Sequence, residues 1–232
     1  MTEPQFSLIL PVHNQADHLE RIVDGYVRAL DAAGVNYELL LVVNGSRDAC
    51  LSIALELQRR YSAVRAYHEA RAGWGRAVKR GIRESRGELI CYTNCARTTD
   101  RDLTLILLYA RAFPTTVVKA NRRVRETLLR RTASLLYNVE CRALFDLSCW
   151  DVNGTPKVFP RSFDALLRLE RDDDLVDAEF VAICRRRDYP MVEVPIFSAR
   201  RHGGLSTTDV WSAIALYVGA IRLARAIRRS YA

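Results

Sequence analysis

Four times in its first 112 residues the chain repeats one pattern: a short run that is apolar at nearly every position, a polar turn, and a longer stretch with apolar residues three and four apart. Phe6-Ser-Leu-Ile-Leu-Pro-Val12 reads as a strand, and Gln15 to Asp31 follows with Leu19, Ile22, Val23, Tyr26, Val27 and Leu30 at helical spacing. Tyr37 to Val43 is a second strand, closed by the turn Asn44-Gly45-Ser46, and Asp48 to Tyr61 again has helical period. Strand Val64 to Tyr67 with helix Trp74 to Ser85, then strand Glu88 to Thr93 with helix Asp100 to Ala112, complete the series. Strands without a polar face need cover on both sides, so the alternation predicts an α/β protein with a mostly parallel central sheet flanked by helices.

The second half is less regular. Thr115 to Lys119 reads as a strand, Val124 to Phe145 as a long basic helix, and Pro156 to Phe159 as a short strand. Phe163 to Glu170 and Val176 to Arg187 read as helices, Met191 to Pro195 as a strand, and a last helix starts near Thr208. Apolar residues make up 49% of the 232 positions, which suits one substantial core and excludes a disordered chain. Lysine and arginine number 35 against 27 acidic residues, so the expected partners are anionic: phosphates, a nucleotide, an acidic membrane surface or nucleic acid. The six cysteines form no CxxC pair and the four histidines show no zinc spacing, which favours buried reduced thiols. Met1-Thr2-Glu3-Pro4 lacks the basic flank of a signal peptide, and the apolar run from Val210 to Ile221 is shorter than the roughly 20 residues that span a bilayer. Both lead to the expectation of a cytoplasmic protein.

Ligands of open α/β sheets bind beyond the carboxyl ends of the strands, which here are His13-Asn14, Asn44 to Asp48 and Asn94 to Thr98, all polar. The motifs at these ends occur in a telling order. Ser7-Leu-Ile-Leu-Pro-Val-His-Asn-Gln15 and Glu38-Leu-Leu-Leu-Val-Val-Asn-Gly-Ser-Arg-Asp48 come first, then Arg71-Ala-Gly-Trp-Gly-Arg-Ala77. Asp151-Val-Asn-Gly-Thr-Pro-Lys-Val-Phe-Pro-Arg161, Val176-Asp-Ala-Glu-Phe180, Glu193-Val-Pro-Ile-Phe197 and Arg200-Arg-His-Gly-Gly-Leu-Ser206 follow. In this order they resemble the family-2 inverting glycosyltransferases of GT-A fold, and within them the polyprenyl-phosphate and dolichol-phosphate sugar transferases. The resemblance implies a GT-A domain over residues 1–206, with 207–232 as a basic amphipathic helix packed on it or extending it. It also implies transfer of a sugar from a UDP- or GDP-linked donor to an acceptor such as a polyprenyl phosphate. Pro11, His13, Asn14, Gln15, Asn44, Ser46, Asp48, Gly73, Gly75, Asn94, Cys95, Ala96, Asp151, Lys157, Arg201 and His202 are the implied nucleotide-sugar residues, and Asp177, Arg97 and Arg200 the implied catalytic ones.

Three departures from the resembled pattern run the same way. The D-x-D that holds Mg²⁺ or Mn²⁺ in those enzymes is Asn94-Cys95-Ala96 here, an expected aspartate is Asn44, and an expected glutamate is Gln15. Hard divalent cations want anionic oxygen ligands, so the loss weakens a metal cofactor, and no metal ligand is assigned. Guanidinium groups can meet a diphosphate by bidentate hydrogen bonds, which brings forward Arg97, Arg200, Arg201 and Lys157. Two alternatives stay open: an inactive protein that binds a sugar nucleotide, and a basic nucleic-acid-binding module. Scattered arginines without an aromatic platform count against nucleic acid. Asp177 and Glu179 stand about 200° apart on a helix and cannot serve one substrate together. Asp172-Asp173-Asp174 reads as a solvated turn. Arg222, Arg225 and Arg229 beside Trp211, Ile214, Leu216, Val218, Ile221 and Leu223 give the last helix an arginine face, fit for peripheral contact with an anionic inner membrane face or for packing in a homo-oligomer.

Overall fold

The computed structural model describes residues 3–123, 128–197 and 210–230. Strands β1 (Phe6–Val12), β2 (Tyr37–Asn44), β3 (Val64–Glu69) and β4 (Leu89–Tyr92) alternate with helices α1 (Leu19–Ala32), α2 (Cys50–Arg60), α3 (Trp74–Glu84) and α4 (Asp100–Ala112). β5 (Val117–Arg122), α5 (Leu128–Phe145), β6 (Lys157–Pro160), a short 3-10 helix (Asp164–Arg168), α6 (Val176–Arg186), β7 (Met191–Ile196) and α7 (Val210–Ser230) follow. Among the described residues, all seven strands form one sheet in the order β3-β2-β1-β4-β6-β5-β7. Only β6 runs against its neighbours, pairing antiparallel with both β4 and β5.

Local chemistry sets the element ends. α1 stops at Ala33 because Gly34 turns left-handed (φ 59°), and the amides of Gly34 and Val35 reach back to the carbonyls of Asp31 and Leu30. α4 starts where the Thr99 hydroxyl accepts from the Asp102 amide and donates to the Asp102 carboxylate, a reciprocal cap. The segment read as a helix over Phe163 to Glu170 is only one 3-10 turn, because Leu169 turns extended and leads the chain past the start of α3.

Side chains alternate across the sheet. Phe6, Leu8, Leu10 and Val12 enter the layer under α1, α2 and α4, whereas Ile9 joins the layer under α3, α5, α6 and α7. Gly81 lets α3 lie close to β1, since a Cβ there would overlap the Ile9 side chain. All six cysteines are free and buried. α7 turns Ala220, Leu223, Ala224 and Ile227 into the second layer and leaves Arg222 and Arg225 outside. Its apolar side is therefore divided: Leu223 packs inward while Val218 and Ile221 are exposed, and the side chains of Trp211, Ile214 and Arg229 lie outside the described residues. Among the described residues no helix is long and apolar enough to cross a membrane.

Candidate functional site

The carboxyl ends of β1 and β2 close on each other. His13 donates from Nδ1 to the Asn44 carbonyl (2.7 Å), and its Nε2 lies 3.2 Å from the Asn14 side-chain amide, which holds the ring across the two strand ends. Asn14 takes a positive φ of 50°, so its backbone amide reaches Ser46 Oγ and its side-chain oxygen accepts from the Arg47 amide. Gly45 is also left-handed (φ 56°), and a Cβ there would come within 2.5 Å of the Ala72 amide nitrogen. Asp48 accepts from the amides of Ala16 and Cys50. Burial alone would raise its pKa, but these bonds and one from the Cys50 side chain outweigh burial and hold the carboxyl below its usual range. Pro11 lies within β1, opposite Val42.

The buried Asn44 side chain bridges three segments. Its Nδ2 donates to the Val12 carbonyl (2.9 Å) and its Oδ1 accepts from the Gly73 amide (3.1 Å). An aspartate could accept but not donate here, so the amide is the form that joins β1, β2 and the loop before α3.

At the carboxyl end of β4, Asn94 Oδ1 accepts from the Ala96 amide and its carbonyl accepts from the amides of Arg97 and Thr98. The turn is anchored by a Thr93–Thr98 hydroxyl bond (2.7 Å) and by Tyr26, whose hydroxyl donates to the Thr98 carbonyl. Cys95 and Ala96 are buried, and the Cys95 thiol donates to Gln15 Oε1. Asn94 and Arg97 are half-buried on the turn. A hard divalent cation does not fit this donor set: no carboxylate is present on the turn, its amide oxygen is taken by a backbone N–H, and the thiol is sealed beneath it. Among the described residues no group of three His, Cys, Asp or Glu side chains is placed to hold a metal.

Gly73 and Gly75 have a packing role of their own. Their Cβ sides are filled by the chain's own 171–173 backbone, with the Asp172 carbonyl 2.6 Å from where a Gly73 Cβ would lie and the Arg171 carbonyl overlapping that of Gly75. The Asp172 carbonyl accepts from the Arg76 amide, and its carboxylate pairs with Arg76 and Lys79. These glycines thus admit a neighbouring loop at the start of α3. The triple-aspartate turn carries ion pairs to basic residues, Asp173 pairing with Arg171.

Behind these turns lies a row of buried charge that spacing alone did not reveal. Strand register places Tyr92, Lys157, Lys119 and Glu193 side by side on one face, across β4, β6, β5 and β7. Both lysines are fully buried. Lys119 pairs with Glu193 (2.8 Å) and donates to the Asp151 carbonyl (2.5 Å). Lys157 pairs with Asp177 of α6, whose carboxylate also accepts from the Tyr92 hydroxyl (2.9 Å) and the Trp74 indole (3.2 Å). Burial pulls the Lys157 pKa below its ordinary value, opposed by Asp177 and reinforced by Lys119. Burial would raise Glu193, but the Lys119 ammonium outweighs it and holds the carboxyl low. Asp151 is gripped by Arg122 through both carboxylate oxygens (2.8 Å each) and accepts from its amide.

Lys157 and Asp151 are therefore internal partners in ion pairs, which corrects the reading of Lys157 as a cation presented to a diphosphate. Asp177 faces this row, whereas Glu179 accepts from the amides of Glu170 and Arg171 and shapes the loop. Arg200, Arg201 and His202 lie outside the described residues. Sequence reasoning missed Tyr92, Trp74, Lys119, Arg122 and Glu193 as members of the constellation. The available signal was Lys119 itself, a lysine inside the apolar strand Val117-Val-Lys-Ala120, which needs a buried carboxylate.

The chain is similar to known glycosyltransferases in sequence and in fold. A 91-residue stretch, 39% of the chain, is 29% identical to an uncharacterized glycosyltransferase, EpsJ, of Bacillus subtilis (strain 168). A 99-residue stretch, 42% of the chain, is 29% identical to the undecaprenyl-phosphate 4-deoxy-4-formamido-L-arabinose transferase of Edwardsiella ictaluri (strain 93-146). These matches span only 26% and 29% of the two relatives' lengths. In structure, glucosyl-3-phosphoglycerate synthase from Mycobacterium tuberculosis, solved with Mn²⁺, UDP and glucosyl-3-phosphoglycerate, superposes with a TM-score of 0.71 at 17% identity, over 95% of this chain and 78% of that one. Its complex with Mn²⁺, UDP-glucose and phosphoglyceric acid gives 0.69 at 16% identity, over 94% and 80%. The shared architecture is the GT-A fold. Since the model named glycosyl transferase family 2 matches residues 7–166, more than half of the chain and all three strand-end turns, this protein belongs to that family.

Proposed function

We propose that this chain transfers a sugar from a nucleoside diphosphate donor, with inversion at the anomeric carbon, to an acceptor that arrives already ionised. Fixed cations, rather than a bound divalent metal, balance the departing diphosphate. The observation that carries this reading is the turn at Asn94 to Thr98, which stands where donors are bound in such folds yet holds no carboxylate, its Asn94 amide oxygen and Cys95 thiol being bonded internally. Arg97 lies on that turn, and Arg200 and Arg201 are the further guanidinium candidates named by their motif. Residues 1–206 form the transferase domain in this reading, with the carboxyl-terminal helix as its appendage. The neighbours solved with UDP and UDP-glucose support a nucleotide-sugar donor. His13, Asn14, Ser46 and Asp48 shape the corner for the nucleoside.

Asp177 supports the choice of acceptor. Three donors occupy its carboxylate and its side chain is nearly closed to solvent, so it is poorly placed to take a proton from an incoming hydroxyl. A phosphate monoester needs no such base. One of its oxygens forms the new bond to the anomeric carbon, the bond from that carbon to the diphosphate breaks, and the electron pair leaves with the diphosphate. The polyprenyl-phosphate relative makes a lipid phosphate the acceptor of choice.

Calorimetric titration of UDP, GDP and their sugars, first with EDTA and then with Mg²⁺ or Mn²⁺, tests the donor half. Binding undiminished by EDTA is expected, and binding that appears only with metal refutes it. Transfer assays with polyprenyl phosphate against the matching alcohol test the acceptor half. The sealed Asp177 also favours a second reading, an inactive sugar-nucleotide binder, which predicts donor binding with no product from either acceptor.

A further inference from the structure

α5 turns Tyr137, Asn138 and Cys141 inward, yet its outer face carries Leu135, Leu136 and Val139 at 52%, 62% and 51% exposure. These residues lie one to two turns before Arg142, whose guanidinium sits 4.1 Å from the centre of the Trp150 ring. Trp150 is itself 55% exposed, on a loop pinned along the helix by Arg142, which donates to the carbonyls of Ser148 and Cys149, and by Asn138, which accepts from the Val152 amide. The ring is thus held outward by a stacked cation. Four large apolar side chains on one held surface exceed the scattered exposure ordinary for a soluble chain.

We infer that this patch docks the protein on an anionic bilayer surface. Charge favours lipid over a second copy of the chain. Among the described side chains, α5 and α7 carry Arg142, Arg222 and Arg225 against one acidic residue, Glu140, whereas the chain as a whole has 35 basic to 27 acidic residues. A symmetric pairing through this face would set arginines against arginines, but a negative surface meets them with opposite charge. α7 adds exposed Val218 and Ile221 beside exposed Arg222 and Arg225. An indole with an apolar body and a polar N–H suits the boundary between headgroups and acyl chains. Trp150 also adjoins Asp151 and donates from its amide to Glu193, so the docked face borders the buried charge row of the candidate site. The inference concerns adsorption alone and holds whether or not the chain transfers a sugar.

Sedimentation of the full chain with phosphatidylglycerol–phosphatidylcholine vesicles, against vesicles of phosphatidylcholine only, tests it. Leu135→Ser/Leu136→Ser/Val139→Ser is expected to lower partition into the anionic vesicles by about tenfold or more, and raised salt to weaken wild-type binding. Thermal melting checks that the triple variant is folded. Quenching of tryptophan emission by brominated lipid, compared between wild type and Trp150→Phe, reads the same contact without the triple change. No binding by the wild type, equal binding to both vesicle types, or equal partition and quenching in the variants overturns the inference. So does a dimer abolished by the triple change in a protein that leaves vesicles alone.

Discussion

Replacing Lys157 with methionine removes one side of a fully buried ion pair and leaves Asp177 with the Tyr92 hydroxyl and the Trp74 indole as its remaining donors. Breaking a buried pair from one side costs about 3–5 kcal/mol. The lower end applies, because two donors stay and because Lys119, directly opposite in register, loses a like-charged neighbour. A loss of about 3 kcal/mol in a chain of this length lowers the melting temperature by roughly 6–12 °C. Urea unfolding at neutral pH measures it directly. Asp177→Asn added to Lys157→Met keeps an acceptor for Tyr92 and Trp74 while removing the stranded charge, and is expected to recover about 2 kcal/mol as a coupling energy. A single variant that costs less than about 1 kcal/mol, or a double variant no more stable than additivity predicts, would show that the pair is not closed as described.

Asn44→Asp removes the donor to the Val12 carbonyl and faces it with an anion, which is expected to cost about 2–3 kcal/mol in urea unfolding. Gly81→Ala forces a methyl into Ile9, with an expected loss of about 1–3 kcal/mol that Ile9→Val partly relieves, as thermal melts of the three variants would reveal. Burial first, and then Asp177, raise the Tyr92 hydroxyl well above its ordinary pKa, so the folded chain keeps a proton that the unfolded chain releases near pH 10. That contribution is complete below pH 10 and is lost by about 1.4 kcal/mol per pH unit above it, and Tyr92→Phe should flatten the decline in melts taken from pH 8 to 11.

The βα alternation was legible because each strand's apolar run and each helix's period are local. α1, α3, α4 and α6 fall within a few residues of their sequence bounds. The direction of β6 was not legible: Pro156 to Phe159 has strand character, but nothing local says that it enters between β4 and β5 against both. The buried charges follow from that insertion, since Lys157 meets Lys119 and Tyr92 only through the register it sets. The loss of acidic groups at Asn44, Gln15 and the 94–96 turn could be read directly. Their internal use could not, because the Val12 carbonyl, the Gly73 amide and the Cys95 thiol come from distant segments. The packing need for Gly73 and Gly75 was not legible either, because the 171–173 backbone that fills the space beside them comes almost a hundred residues on.

A reversed strand threaded between two others has a consequence for synthesis and for truncation. Until residue 160 has been made, β4 is an open edge of a four-stranded sheet and β5 has no partner strand, so both present open rows of amides and carbonyls. A fragment ending at residue 156 would keep both of these rows bare and so would self-associate, whereas one carried through β6 could join β5 to β4 and leave only the β5 edge that β7 later covers.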